Sequence, residues 1–179
     1  MTTNDTGATA SASNAQQGAS LPYRASAGIM LINSDGLVWA GKRIPKWQDD
    51  RSAHIWQMPQ GGIDDGESPD CAAIRELEEE TGVRNAVILA ESRQWLQYDL
   101  PIELQGVALK GKYRGQKQKW FAMRFLGEDR EIDISARNGL KAEFDDWRWQ
   151  RASELPGLIV PFKRKIYQTL IEEFSQFLS

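Results

Sequence analysis

Three glutamates, Glu76, Glu79 and Glu80, stand at i, i+3 and i+4. On an α-helix those positions share one face within a turn of each other. Side by side in water they repel. Around a hard divalent cation they become a ligand set, because Mg²⁺ and Mn²⁺ favour carboxylate oxygens and keep positions open for water and phosphate. They belong to the 23-residue stretch GGIDDGESPDCAAIRELEEETGV, Gly61 to Val83, which holds eight acidic residues between Asp64 and Glu80 and Arg75 as the only basic one among them. The plain alternative is a solvated acidic helix. The agreement of loop, helix caps and spacing speaks for a cation instead.

The element that must present these carboxylates is legible in local signals. Ser68 reads as an N-cap, Pro69 sits where a missing N–H is harmless, and Gly82 supplies the stop. Ala73, Ile74 and Leu77 are expected to face a core opposite Glu79, leaving the glutamates outward. Ahead of the helix, Gly61-Gly62-Ile63-Asp64-Asp65-Gly66 is a loop whose glycines allow close approach of backbone to a ligand. Glu67, at the helix entrance, is placed to hold Arg75 by a charged pair.

Gly61, Glu67, then Arg75-Glu76-Leu77, Glu79-Glu80 and Gly82-Val83 are similar in every fixed position to the Nudix box. The resemblance implies an α/β fold, an α/β/α sandwich around a mixed sheet with the box as a catalytic loop–helix–loop. It also implies cleavage of nucleoside diphosphates linked to another group, with divalent cations held by the box glutamates. Fold analogy alone does not fix the substrate.

The rest of the chain fits one such domain. With 179 residues and 41% hydrophobic, it supports one sizeable core but not two. A net charge of −3 argues against a protein that coats nucleic acid, though local patches can hide in the sum. Cys71 is the single cysteine, which suits a reducing compartment, and it reads as a small, partly buried residue rather than a nucleophile. No apolar run reaches the length of a membrane span and no signal-like segment opens the chain, so a cytoplasmic protein is expected. Residues 1–20 are rich in Ser, Thr, Ala and Asn with one charge, and are expected to form a mobile tail ahead of a domain over 21–179. Within that domain, Gly28 to Ile32 reads as a buried strand, Asn33 to Gly36 as a hairpin turn and Leu37 to Arg43 as the partner. Ile44 to Ala53 reads as an exposed loop. Further short strands are expected at His54–Met58, Ala86–Ser92, Trp95–Leu100, Lys119–Leu126 and Glu143–Trp149, and a closing amphipathic helix over Phe162–Leu178. Trp147 and Trp149 alternate on one strand and so belong to a core or pocket wall rather than to base recognition.

A second chemistry-bearing segment is Lys110 to Lys119, KGKYRGQKQK, with five basic residues in ten and Trp120-Phe121 directly after. Opposite in sign to the box, it can hold a polyanion, or be only a solvated loop. Phe162-Lys163-Arg164-Lys165 places an aromatic beside three cations, for stacking a base and holding phosphate or for stapling a helix to the core.

Gly115 to Phe121, Glu143 to Trp149, Phe162 to Arg164 and the box entry Trp56 to Gly62 resemble the bacterial RNA pyrophosphohydrolase group of the Nudix family, also described as dinucleoside polyphosphate hydrolase. That resemblance implies conversion of 5′-triphosphate or diphosphate RNA ends to a 5′-monophosphate. It also implies hydrolysis of diadenosine polyphosphates. Carried over position by position, Glu76, Glu79, Glu80, Glu143 and Gly61 would bind about two or three Mg²⁺ or Mn²⁺ ions. Arg24, Arg43, Lys117, Lys119, Phe162 and Lys163 would bind substrate. Arg75, Glu76 and Glu79 would act in catalysis, with Glu76 or Glu79 taking the water's proton; the two are not separable from sequence. His54, the single histidine, reads as a strand-end residue. Expected partners are RNA 5′ ends or dinucleoside polyphosphates and no membrane, with a monomer or weak homo-oligomer and room for a protein activator. A catalytically silent RNA-binding module is the third possibility, and three aligned repelling carboxylates argue against it. Relatives often carry proline where Ala25-Ser26-Ala27 and Ala142 stand here, which leaves the chemistry intact and bears on substrate entry.

Overall fold

The computed structural model describes residues 21–46, 55–136 and 139–179. The expected tail over 1–20, His54 and most of the Ile44–Ala53 loop lie outside the described residues.

The chain organises around one long strand. β1 (Tyr23–Ile32) is buried continuously from Ser26 to Ile32, as a strand covered on both faces must be. It pairs in parallel with β7 (Gly115–Phe125), from Tyr23 opposite Gly115 to Ile32 opposite Arg124. Its other edge meets β2 (Val38–Arg43) and β4 (Gln60–Gly62), both antiparallel. β2 also pairs with β3 (Trp56–Gln57) and with β8 (Phe144–Gln150), where a register shift falls between Lys42 and Arg43. On the far side of β7, β5 (Ala86–Glu91) and β6 (Leu96–Asp99) take successive halves of its length. The result is one eight-stranded mixed sheet. The hairpin turn forms as expected: the Asn33 side chain accepts from the backbone N–H of Asp35 and Leu37, and Gly36 takes φ +75°.

Strand alternation splits the core into two layers. Met30, Ile32, Trp120 and Ala122 pack with Ile166, Tyr167 and Leu170 of the C-terminal helix, and Ile29, Leu31, Phe121 and Met123 with Ala72, Ala73 and Leu77 of the box helix. The box helix is α1 (Pro69–Thr81). A one-turn helix, α2 (Leu155–Leu158), precedes the C-terminal α3 (Arg164–Glu173). Helix, sheet, helix is the sandwich that the sequence implied. Trp147 stacks on Trp39 at 6.4 Å and meets Trp149 edge-on at 6.2 Å, making a wall of the α1-side core.

Three expectations need correction. Ile74 is 52% exposed, and Ala72, Ala73 and Leu77 make the buried stripe of α1. Glu76 and Glu80 therefore border that stripe rather than opposing it. Burying Leu77 stabilises the docked helix by about 1.5–3 kcal/mol. β7 begins at Gly115, four residues before the expected start, so half of the basic segment is strand. The closing helix ends at Glu173; Phe174 buries against the core and the chain turns into a 3₁₀ segment.

Candidate active site

α1 starts as its sequence dictates, with Ser68 in extended conformation and Pro69 in the first turn, and stops at Gly82 in the left-handed region, whose N–H donates to the Glu78 carbonyl. This fixes Arg75 above the preceding loop. Its guanidinium donates to Glu67 Oε1 and Oε2 (both 2.8 Å), to Glu76 Oε1 (2.9 Å), to Glu79 Oε2 (3.3 Å) and to the Gly62 carbonyl (2.8 Å). One arginine thereby gathers three carboxylates and the loop. The fork geometry of guanidinium suits this, and a lysine could not reproduce it. Hydrogen bonding from Arg75, together with the Asp64 backbone N–H, pulls the Glu67 carboxyl down to about 2. Glu67 is an ion-pair partner and not a proton carrier.

The remaining carboxylates are electrostatically unsettled. Burial raises the Glu76 carboxyl, and its bonds to Arg75 offset only part of that. Glu80 lies well above the usual carboxylate range, first because it is removed from water and then because Glu143 and Glu76 repel it. A single backbone N–H, from Gln60 at 3.2 Å, works the other way. Glu143 reaches the cluster from the residue before β8, held by Ile44 N–H on its carbonyl (3.0 Å) and paired with Lys46 at 2.5 Å. Gly61 is the floor: a Cβ there would lie 1.9 Å from Glu76 Cδ, so a side chain fits only if the Glu76 carboxylate moves. Among the described residues no group of three acidic, His or Cys side chains forms a finished cation cage. The donor chemistry nonetheless fits a hard divalent cation. It is all oxygen, and Glu80 is repelled by both Glu143 and Glu76, with Lys46 and the Gln60 N–H offsetting only part of this.

Beside this cluster opens a cavity of about 580 Å³. Arg24, from β1, lies under Gly62, where its Nη2 would be 2.2 Å from an added Cβ. Arg43, at the end of β2, and Lys163, at the start of α3, also line the cavity and are each 8% exposed. Burial, reinforced by Arg43 and Lys46, lowers the Lys163 ammonium to about 7. Its Nζ sits 5.2 Å over the Tyr98 ring, and Phe162 packs against the same ring at 5.4 Å. Of the basic segment, Lys110 and Lys112 line the cavity. Lys117 and Lys119 do not: strand alternation points them away from Gln116 and Gln118. Lys117 is exposed over Trp95 at 5.7 Å, and Lys119 donates to the Ser92 carbonyl at 2.5 Å. The structure therefore brings Arg24, Arg43, Phe162 and Lys163 together and leaves Lys117 and Lys119 elsewhere.

Sequence reasoning missed Gln57, Gln60, Tyr98 and Gln116, all of which line the cavity. A signal existed for Gln116. In Gln116-Lys117-Gln118-Lys119-Trp120 the amides alternate with the cations, a period of two that marks a strand with a polar inner face.

The fold and this site define a class. The NUDIX domain model matches residues 22–170, and the chain belongs to the Nudix family. Members of that family generally use divalent cations. More particularly, the chain is 57% identical over 157 residues to an RNA pyrophosphohydrolase of Agrobacterium fabrum, covering 86% of this chain and 92% of the relative. It is 55% identical over 158 residues to an RNA pyrophosphohydrolase of Brucella abortus, covering 87% and 89%. Among solved structures, the dihydroneopterin triphosphate pyrophosphohydrolase of E. coli superposes with a TM-score of 0.60 at 18% identity, over 85% of this chain and 99% of that one, a likeness of fold. Among the described residues no helix is long and apolar enough to cross a membrane.

Proposed function

We propose that residues 21–179 form a unit that hydrolyses the 5′-triphosphate or diphosphate end of RNA to a 5′-monophosphate. The observation that carries this reading is the make-up of the cavity. Glu143, the cations Arg24, Arg43 and Lys163, and Phe162 resting against Tyr98 all line it. A phosphate chain with one nucleoside matches that set of charges and rings. The name shared by relatives at 55–57% identity supports the same substrate.

In this reading Glu76, Glu79, Glu80, Glu143 and the Gly61 carbonyl hold Mg²⁺ or Mn²⁺. When bound, such ions neutralise the phosphates and lower the pKa of a water. The chain's own groups do the rest. Arg24, Arg43 and Lys163 hold phosphate oxygens and place the scissile anhydride against the carboxylates. Glu76 or Glu79 accepts the proton of the attacking water, and Arg75, bonded to both, fixes which of their oxygens face it. The water adds to phosphorus, the anhydride P–O bond breaks, and pyrophosphate leaves with the 5′-monophosphate retained on the RNA. Phe162 stacks the first base. Lys117 and Lys119 are left for the body of the RNA.

A second reading, hydrolysis of free dinucleoside polyphosphates, is favoured by one observation. Lys117 and Lys119, the cations expected to hold extended RNA, are not at the cavity. Product analysis separates the two, with 5′-triphosphorylated RNA and diadenosine tetraphosphate offered in parallel with Mg²⁺ and Glu80→Gln as control. Monophosphorylated RNA formed by the wild type and lost in the variant is the expected result. Cleavage of the dinucleotide alone would transfer the function to nucleotide turnover.

A further inference from the structure

The inner wall of the cavity carries a closed chain of side-chain hydrogen bonds whose direction is set at one end. Trp120 is fully buried, and its indole Nε1–H can only donate. It donates to Gln118 Oε1 at 3.2 Å. That leaves the Gln118 amide nitrogen as the donor side, and it serves two acceptors, Gln60 Oε1 at 2.8 Å and Gln116 Oε1 at 3.0 Å. Gln116 Oε1 also accepts from the Tyr98 hydroxyl at 2.9 Å, so both its lone-pair directions are taken. An amide whose oxygen is committed must turn its –NH₂ the other way. Gln116 is 5% exposed and lines the cavity, and the bonds that it and Gln60 make through their amides all fall on the oxygens; among the described residues neither Nε2 has a protein partner.

We infer that Trp120, acting through Gln118, locks the Gln60 and Gln116 side chains so that both present –NH₂ donors to the cavity, making its floor a neutral subsite for phosphate oxygens. Trp120 is thus a positioning residue, 0% exposed and out of reach of any ligand. The physical reasoning favours this polarity. Both donors open onto the cavity, and an anionic oxygen is the acceptor that Arg24, Arg43 and Lys163 charge the cavity to receive. Without the lock, either glutamine could turn and offer a carbonyl oxygen, which repels phosphate. Two fixed neutral donors also add to binding without adding charge, beside Arg24, Arg43 and Lys163, where further cations would repel one another. The inference rests on the function proposed above only in taking a phosphate chain as the ligand.

The test uses the full chain and magnesium pyrophosphate as the probe, so it does not depend on RNA being the substrate. In a ¹H–¹⁵N titration of the side-chain amides, the –NH₂ resonances of Gln60 and Gln116 should shift on binding while those of Gln118, bonded within the protein on both hydrogens, hold. An unmoved Gln116 –NH₂ overturns the inference. By calorimetry, Trp120→Phe and Gln118→Met should each weaken pyrophosphate binding roughly three- to tenfold, the range of a hydrogen bond to a charged group shared between orientations. The double variant should bind no more weakly than Gln118→Met alone, because Trp120 acts only through Gln118. Additive losses, or losses that track thermal unfolding, mean that Trp120 merely packs the core and sink the lock. Should Trp120→Phe fail to fold, the amide titration and Gln118→Met decide. Failure of the wild type to process triphosphorylated RNA, with these results intact, would fall on the proposed function and not on this subsite.

Discussion

Replacing Gly61 by alanine separates the geometry of this site from the stability of its fold. The backbone there is not in the left-handed region, so alanine is conformationally acceptable. What it lacks is space. The new methyl would lie 1.9 Å from Glu76 Cδ where ordinary contact begins at 3.4 Å, so the carboxylate has to give way by about 1.5 Å. Moving it loosens the 2.9 Å bond to Arg75 and draws Glu76 out of the carboxylate cluster. The stability consequence is small. The Arg75–Glu76 pair is only 29% and 13% exposed, and loosening it costs on the order of 1 kcal/mol, which exchanging glycine for alanine offsets by about 0.4–1 kcal/mol through the unfolded chain. The catalytic consequence is large, since about 1 Å of misplacement costs on the order of 100-fold in rate. The Gly61→Ala protein should therefore unfold within a few degrees of wild type while kcat/KM on triphosphorylated RNA, measured by release of pyrophosphate, falls roughly 100-fold. Gly66→Ala is the mirror-image control. Gly66 has φ +80° and open space around it, so alanine should cost about 1 kcal/mol of stability and leave kcat/KM unchanged. Wild-type turnover by Gly61→Ala would refute the role given to Glu76.

Three further outcomes follow from the charges and rings of the site. Glu80→Gln should abolish turnover yet raise the midpoint of thermal unfolding in chelator, because it removes a carboxylate that burial, Glu143 and Glu76 disfavour, and it should lose the stabilisation that added Mg²⁺ gives the wild type. Because the folded-state pKa of Glu80 is raised, its contribution is fully present below the ordinary carboxylate range and lost as pH climbs through the folded value. The metal-free wild type should therefore lose relative stability over that window, and Glu80→Gln should not. Lys163, lowered to about 7, is mostly neutral at pH 8; binding pyrophosphate there should take up a proton, read as a calorimetric enthalpy that changes with buffer ionisation heat, and Lys163→Met should remove that dependence. Phe162→Leu should raise KM for triphosphorylated RNA by roughly tenfold, the scale of one lost base stack, without changing pyrophosphate affinity; equal losses for both probes would mean that Phe162 only supports Tyr98.

Much of this architecture was legible because the relevant signals are local or apolar. The β1 run, the Asn33–Gly36 turn and the Pro69 and Gly82 ends of α1 each follow from local composition, while Ser68 stands at the N-cap position without a side-chain cap bond. The i, i+3, i+4 spacing of Glu76, Glu79 and Glu80 on α1 is equally local. What escaped was polar and tertiary. Gln116 and Gln118 are buried for hydrogen bonding and not for hydrophobicity, so the start of β7 looked like a charged loop. Ile74 reads as core in the sequence because helical spacing alone cannot say which edge of an apolar stripe meets the sheet. The cavity joins residues from β1, β2, β6, β7 and the turn before α3, and no spacing rule connects Arg24 with Lys163. Lys117 and Lys119 were grouped with Lys110 and Lys112 by nearness in sequence, which a strand undoes by sending alternate residues to opposite faces.

The parallel pairing at the centre of the sheet has a consequence for how the chain comes into being. Every β1 residue pairs with one 92 positions further on, Tyr23 with Gly115 and Ile32 with Arg124. At synthesis rates of about 5–20 residues per second, β1 spends on the order of 5–20 s outside the ribosome before its partner exists. Throughout that interval Ile29, Met30, Leu31 and Ile32 have only the β2 and β4 side of the sheet to pair with. High contact order of this kind makes folding slow and late. The box helix can coil early, but the strand that completes the sheet beneath it is finished only when two-thirds of the chain has been made, so the site assembles late in synthesis.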